Sequence, residues 1–156
     1  MKVSTGLRDH FCVTGDLEAG LNGGVIRFYG SPTSQAAADA LIPATADASI
    51  GSATLLCTIS NNGAGTGINF DTTPASGVLS KASGETWLGD MVAAGYFSFA
   101  RFSSLSDAGG DSTTEKRIQL TVGVLPDKEI VVASAYKPLG EEQRMDAFYI
   151  GFPAGT

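Results

Sequence analysis

The chain has 156 residues, of which 43% are apolar and 17% are charged, with 20 glycines and a formal net charge of −6. This apolar content excludes a disordered chain, and an acidic chain without a basic cluster lacks the Lys and Arg that bind nucleic acid. No uninterrupted apolar run approaches the ~18 residues of a membrane span, and the N-terminus lacks the apolar core of a signal peptide. We therefore expect a soluble domain that binds neither nucleic acid nor membrane.

The start of the chain carries a helical pattern. Leu7 and Phe11 have the i, i+4 spacing of one helix face, and Ser4 or Thr5 is a suitable N-cap residue just before them. Gly15 then interrupts the pattern, and Asp16 or Thr14 is a suitable cap for a second short turn that runs to Leu21. We predict a short helix or helix pair over residues 4–21.

The residue pattern changes after residue 24, and this change predicts two domains of unequal size. Residues 1–24 form an N-terminal helical segment or arm, and residues 25–156 form a β-sandwich domain, with Gly23-Gly24 between them. The segment either caps the open end of its own sandwich or docks as an arm on a neighbouring protein. The sequence leaves both alternatives open.

From residue 25 onward the pattern is that of short strands separated by polar turns. In chain order the predicted strands are Val25–Tyr29, Ala53–Ser60, Gly67–Asp71, Gly77–Ser80, Tyr96–Phe102, Arg117–Val124, Ile130–Tyr136 and Met145–Phe152. Residues 31–51 form a long loop with an alanine-rich patch over 36–40 that is long enough for one or two helical turns. Eight or nine strands at roughly 8–12-residue spacing predict an all-β fold: an antiparallel β-sandwich or jelly-roll-like barrel with a short N-terminal helical segment.

Some aromatic residues fall on the polar side of their strands. Alternation in the Tyr96–Phe102 strand puts Phe97 and Phe99 on one face and Tyr96 and Phe102 on the other, and Tyr149 likewise points away from its apolar neighbours. Such residues either lie under loops or the helix, or face another protein chain. Together with the apolar helix positions they are the candidate protein-contact residues: Leu7, Phe11, Tyr96, Phe102 and Tyr149.

No set of residues predicts catalysis. His10 is the single histidine, so a Ser–His–acid triad, a Cys–His pair and a His-based zinc site would all have to use it. Cys12 and Cys57 lack CxxC spacing, and no G-x-S-x-G elbow occurs. We predict no catalytic residue, no cofactor and no enzymatic activity. The two cysteines either form a disulfide or leave Cys57 as a buried free thiol, which is the simpler interpretation.

Two loops have some features of ligand-binding sites. Asp107 and Asp111 flank Gly109-Gly110, but a Ca²⁺ site needs 6–8 oxygen ligands and the spacing fits no calcium loop, so we expect a solvated loop and no metal. The glycine run Gly63–Gly67 precedes a strand, whereas a phosphate loop precedes a helix N-terminus. We therefore predict a hairpin connection there.

The order of these features resembles a known group of proteins. The segments that carry the resemblance are Lys2–Arg8, Leu21–Gly30, Ala53–Cys57, Gly77–Ala82, Gly84–Trp87 and Met145–Phe148. The series is similar to small virion proteins encoded among the head and tail genes of tailed bacteriophages, and it spans most of the chain. Its motifs are structural and carry over no catalytic residue.

The resemblance implies a non-enzymatic structural component of the phage virion, made in the host bacterial cytoplasm. Its first implication is a capsid decoration (cement) protein, an oligomer that stabilises the shell through contacts with the major capsid protein or other virion proteins. The alternative is a tail, baseplate or head-fibre component that binds a receptor or glycan, with Trp87, Tyr96 and Tyr29 as aromatic contacts.

Overall fold

The computed structural model describes residues 1–151, which form eleven strands and three short helices. The strands are β1 Lys2–Val3, β2 Val25–Ser31, β3 Thr54–Asn61, β4 Val78–Ser80, β5 Trp87–Asp90, β6 Gly95–Ser103, β7 Ile118–Gly123, β8 Ile130–Val131, β9 Tyr136–Lys137, β10 Glu142–Met145 and β11 Tyr149–Gly151. The helices are α1 Thr5–Val13, α2 Leu17–Leu21 and α3 Gln35–Asp39. No helix in the described part of the chain is long and apolar enough to cross a membrane.

The helix starts follow local capping chemistry. The Ser4 hydroxyl accepts a hydrogen bond from the Leu7 amide at 3.2 Å, and the Asp16 carboxylate caps α2 by accepting one from the Ala19 amide at 2.8 Å. The N-terminal helix pair is therefore confirmed. The alanine-rich patch forms the single short helix α3.

Nine strands form one sheet, in which neighbours follow the order β1-β7-β6-β2-β3-β5-β10, while β8 pairs with β7 and β9 with β6. The other two strands, β4 and β11, pair in a small second sheet. The described strand pairs are antiparallel apart from β7 and β8, which run parallel. The predicted all-β sandwich architecture is confirmed.

The main core lies between the large sheet and the small one. Phe70, Trp87 and Phe148 form an aromatic cluster with ring centroids 5.5–6.1 Å apart, and Leu79 of β4 and Ile150 of β11 belong to the same buried cluster. Burial of such rings dominates core energetics, since each removes ~150–250 Å² from water. The small sheet is thereby held against the large one.

Two β-bulges interrupt the alternation in the central strands. Tyr29 pairs with Phe99 and Gly30 with Phe97, so Ser98 is an extra residue on β6. On the other side of β2, a second register shift makes Leu56 an extra residue on β3. Because a bulge exchanges the faces of the residues beyond it, both strands change sides part-way along.

The N-terminal segment packs on its own domain. β1 joins the large sheet beside β7, and Leu7 and Leu21 are buried in the main core. The Ser4 hydroxyl also accepts from the Arg117 amide at 2.8 Å and donates to the Glu115 carbonyl at 2.7 Å. In this structure the two helices pack against the core of their own sandwich.

The end of the chain differs from its prediction in detail. The run 130–136 is divided between β8 and β9, and the run predicted to start at Met145 becomes the end of β10 followed by β11. Phe148 and Ile150 are buried and Tyr149 is exposed, as the alternation predicted. Phe152, the last residue of the predicted strand, lies outside the described residues.

Candidate interaction groove

The five candidate contact residues lie in very different environments. Tyr149 is 68% exposed, Tyr96 is half-buried beside Tyr136, and Phe11 is half-buried where α1 packs on the core. Leu7 and Phe102 are fully buried in the main core, so neither is available to a partner. Placing Phe102 on the outer face was therefore wrong.

The bulge at Ser98 is the physical reason for that error. It puts Phe97 in the main core, against Phe28 at 5.3 Å between ring centroids, and Phe99 on the opposite face, stacked on Tyr29. Phe102, beyond the bulge, therefore joins the same core as Phe97. The prediction that Phe97 and Phe99 share a face was wrong for the same reason.

Tyr149 borders a surface groove with a volume of about 570 Å³. The groove runs between β8 on one side and the β10–β11 segment on the other. It is lined by Met1, Leu120, Glu129, Ile130, Val131 and the continuous stretch 143–151. Its volume falls in the ~300–1,000 Å³ range of ligand sites, although it is open along its length.

The groove combines a buried apolar floor with an exposed apolar rim. Buried side chains beneath it include Leu120, Met145 and Phe148, whereas the rim residues Val131 and Met1 are 60% and 55% exposed. Scattered exposed apolar residues are ordinary, but several that line one groove are candidates for contact with a partner. Tyr149 completes this rim.

The charged groups of the groove pair with one another. The Met1 ammonium contacts the Glu129 carboxylate, which also accepts from the Thr121 amide at 2.6 Å. On the opposite wall, Arg144 Nε donates to Asp146 at 2.6 Å. Because each cation has an anion beside it, the groove presents no strong net charge to a partner.

Both walls of the groove contain strands with an open side. β8 pairs with β7, and β11 pairs with β4, and neither has a second strand partner among residues 1–151. A strand edge carries unpaired N–H and C=O groups that an extended segment of another chain can bind.

Sequence analysis found Tyr149 but missed Val131 and Met1. Val131 had a readable signal, because the run Ile130-Val131-Val132 is apolar throughout and a strand must turn its middle residue to the other face. Ile130 and Val132 are buried and Val131 is exposed, as that rule requires. For Met1 the sequence carries no such signal, because its position depends on the pairing of β1 with β7.

The remaining sites considered from sequence do not assemble into a catalytic set. His10 packs between α1 and α2 near Gly15 and Gly20, and its Nε2 atom has no hydrogen-bond partner among the described residues. Both cysteines are free: Cys12 is exposed, and burial raises the pKa of Cys57 to about 12. Within residues 1–151, no group of three or more potential ligand side chains is placed to hold a metal ion.

The loop that carries Asp107 is not simply solvated. Asp107 is buried, and its carboxylate accepts two hydrogen bonds from the Arg117 guanidinium, at 2.6 and 2.7 Å. Burial alone would raise the pKa of Asp107, but the hydrogen bonds and charge of Arg117 outweigh burial and lower it. The prediction of a solvated loop was wrong at this position, whereas Asp111 is exposed.

Two of the three aromatic residues considered for glycan binding are buried. Trp87 is fully buried in the core and Tyr29 lies under the 41–53 loop, so neither can stack on a sugar. Tyr96 remains, paired with Tyr136 at 5.0 Å between ring centroids.

The structure thus defines an all-β sandwich with a surface groove that carries exposed apolar side chains on its rim. Comparison with protein-family models, with curated proteins and with solved structures gives no match for this chain.

Proposed function

We propose that this chain is a non-enzymatic structural component of a tailed-phage virion, a capsid decoration protein that stabilises the shell by binding the major capsid protein or another virion protein. The proposal depends on the sequence resemblance for the particle and on the groove for the mode of contact. The observation that carries it is the apolar rim formed by Met1, Val131 and Tyr149 beside the open sides of β8 and β11.

The groove's chemistry favours a protein segment over a small molecule. An apolar rim excludes water from a partner's apolar side chains, and the strand edges supply backbone hydrogen bonds along an extended chain. Since the charges in the groove are already paired, a neutral segment binds without leaving an ion unpaired. The occupant we propose is an extended, weakly charged segment of the neighbouring virion protein.

A preorganised surface suits a shell-stabilising role. Binding only to the assembled lattice stabilises it by mass action, and a partner that is already ordered loses little conformational entropy on docking. The sandwich holds both groove walls on paired strands, β8 on β7 and β10 on β5. We propose that several copies dock at lattice junctions as an oligomer.

Virion stoichiometry and an add-back assay test the proposal. Densitometry of purified virions should show hundreds of copies of the chain, and their absence from virions would overturn it. Purified protein added to particles that lack it should sediment with them. Tyr149→Asp and Val131→Asp should bind at least tenfold more weakly, because a carboxylate on the rim loses solvation without gaining a partner. Leu139→Asp, at an exposed apolar residue outside the groove, is the matched control.

The outcomes are distinct. Binding by the control but not by the two rim variants supports a groove contact. Equal binding by all variants would place the contact elsewhere and refute the role of the groove. A few copies per virion would favour the tail or baseplate alternative.

The Tyr96–Tyr136 pair is the observation that favours the second candidate, a receptor- or glycan-binding component. Tyr136 is 42% exposed, and two tyrosines at this separation offer a small stacking surface. A glycan array with wild type and Tyr136→Ala tests it. Saturable binding that the substitution abolishes would favour this candidate over a decoration protein.

A further inference from the structure

The outer face of the central strands carries a row of buried or half-buried polar side chains. Arg27 of β2 lies opposite Arg101 of β6, and Arg101 lies opposite Gln119 of β7. Arg117, two residues before Gln119, is on the same side. The loops over residues 41–53 and 104–116 cover this face, since Gln119 donates to the Pro43 carbonyl at 2.8 Å and Arg117 contacts Asp107.

Two of the three arginines have either a counter-ion or several hydrogen-bond acceptors. Arg117 forms its bidentate pair with Asp107, and Arg27 donates to the Ser103 hydroxyl at 2.8 Å and to two loop carbonyls. The other nearby carboxylate, Asp47, accepts from the amide and the hydroxyl of Thr5 at 2.8 and 2.7 Å. These acidic groups are therefore already engaged.

Arg101 is different. It is 1% exposed, and its Nη2 atom donates to the Gln119 side-chain oxygen at 2.8 Å. Its Nε and Nη1 atoms have no hydrogen-bond partner among residues 1–151. A neutral amide oxygen is thus the hydrogen-bond partner of this buried guanidinium, whereas the nearby Arg117 has the Asp107 carboxylate.

The buried Arg101 guanidinium lowers the stability of the fold unless a ligand pairs with its free N–H groups. Burial and the neighbouring Arg117 lower the pKa of Arg101, yet a guanidinium still remains protonated in proteins. Asp107 and Asp47 lie near enough to favour the charged form, but a buried guanidinium with N–H donors left unpaired opposes folding strongly. The site calls for an acceptor with negative charge that is small enough to lie beneath the covering loops.

We propose that the unpaired N–H groups of Arg101 bind a small monovalent anion, of which chloride is the representative, enclosed under the 41–53 loop. Chloride accepts several N–H hydrogen bonds at once and costs less to desolvate than phosphate, which carries more charge. The proposal is independent of the virion function, because it concerns the stability of the chain itself.

Anion-dependent stability tests the site. Thermal unfolding is followed while chloride replaces gluconate at constant ionic strength, for wild type, Arg101→Met and the control Arg144→Met. Arg144 is an exposed arginine. Across a chloride range from a tenth of its Kd to ten times its Kd, an anion that binds only the folded state multiplies the folding constant about tenfold. For a chain of this length that raises Tm by about 3–6 °C.

The variants make the outcome specific. Wild type and Arg144→Met should show the rise, and Arg101→Met should show none beyond the general salt effect common to all three. The same Tm change in all three proteins would overturn the proposal and leave water as the partner of Arg101.

A crystal of the wild-type protein soaked in bromide gives a second readout, which does not depend on Arg101→Met being folded. An anomalous peak within about 3.5 Å of an Arg101 nitrogen is expected, since that is the range of a hydrogen bond to a halide ion. No peak there would overturn the proposal. A peak without any chloride dependence of Tm would identify an adventitious ion only and would overturn it as well.

Discussion

Replacing Asp107 with asparagine removes the carboxylate that binds the buried Arg117 guanidinium. In the wild type one carboxylate oxygen accepts from Arg117 Nη2 at 2.6 Å and from the Gly109 amide at 2.8 Å, and the other accepts from Arg117 Nε at 2.7 Å. An asparagine side chain keeps one acceptor oxygen. Its NH₂ group would face the guanidinium, and because both groups are donors they cannot form a hydrogen bond. The substitution therefore leaves a charge buried without its partner.

The expected cost is large for a single substitution. The Arg117 and Asp107 side chains are 1% and 2% exposed, so solvent screens the pair very little. Breaking a buried pair from one side costs about 3–5 kcal/mol, which lowers Tm by about 6–20 °C in a domain of this length. Asp127→Asn is the control, because Asp127 is largely exposed and lies 3.5 Å from Lys128. We expect it to change the unfolding free energy by no more than about 0.5 kcal/mol.

The pH dependence gives the same pair an independent test. The pKa of Asp107 is lower in the folded chain than in the unfolded one, so its contribution is present above the unfolded pKa and is lost as pH falls through the folded pKa. The difference in unfolding free energy between wild type and Asp107→Asn should therefore narrow in acid, below about pH 4. Urea unfolding at several pH values measures both effects. A loss below about 1 kcal/mol at pH 7, or a difference that does not change in acid, would refute the reasoning.

Three further substitutions or treatments test the packing. Gly30→Ala should destabilise by about 1–3 kcal/mol in urea, because its Cβ would lie 1.8 Å from the Tyr96 carbonyl oxygen; no loss would mean that the strands separate freely there. Ser4→Ala should cost about 2 kcal/mol by thermal unfolding, since it removes the α1 cap and two contacts to the 115–117 segment. An alkylating reagent at pH 8 should modify Cys12 in the folded chain and Cys57 only after unfolding, as measured by intact mass; early labelling of Cys57 would contradict its burial.

Features that depend on neighbouring residues were predictable from the sequence. The caps at Ser4 and Asp16 require a hydroxyl or carboxylate within three residues of a free amide, and such spacing is visible in the chain. The turn at Asn62 and Gly63 likewise follows from their tolerance of positive φ, which is 53° and 67° here. The all-β fold followed from several such local signals together.

Which side chains of the central strands point to which face of the sheet was not predictable. The bulge at Ser98 adds one residue whose effect is global, because every side chain beyond it changes face. Nothing in Tyr96–Phe102 distinguishes a bulged strand from a regular one. Phe102 was for that reason placed on the face opposite Phe97, although both lie in the main core.

The groove and the arginine row are spatial features assembled from distant segments. Arg117 occupies a polar position of its predicted strand, whereas regular alternation would put Arg101 on the face of Phe97 and Phe99. Only the bulge and the path of the covering loops show that both arginines are buried on the outer face. Tyr149 was identified because its own strand alternates regularly. The groove it borders depends on β8 lying across from it, which no local pattern indicates.

The attachment of the N-terminus to β7 has a consequence for synthesis. Ser4 contacts the Arg117 amide, 113 residues further along the chain, and β1 has its strand partner in the same region. At ~5–20 residues per second, a ribosome needs roughly 6–23 s to make the intervening chain. During that interval Leu7, which is destined for the core, has no β7 to pack beside. Nascent chains should therefore gain protease resistance abruptly, only after β7 has left the ribosome, rather than gradually from the N-terminus.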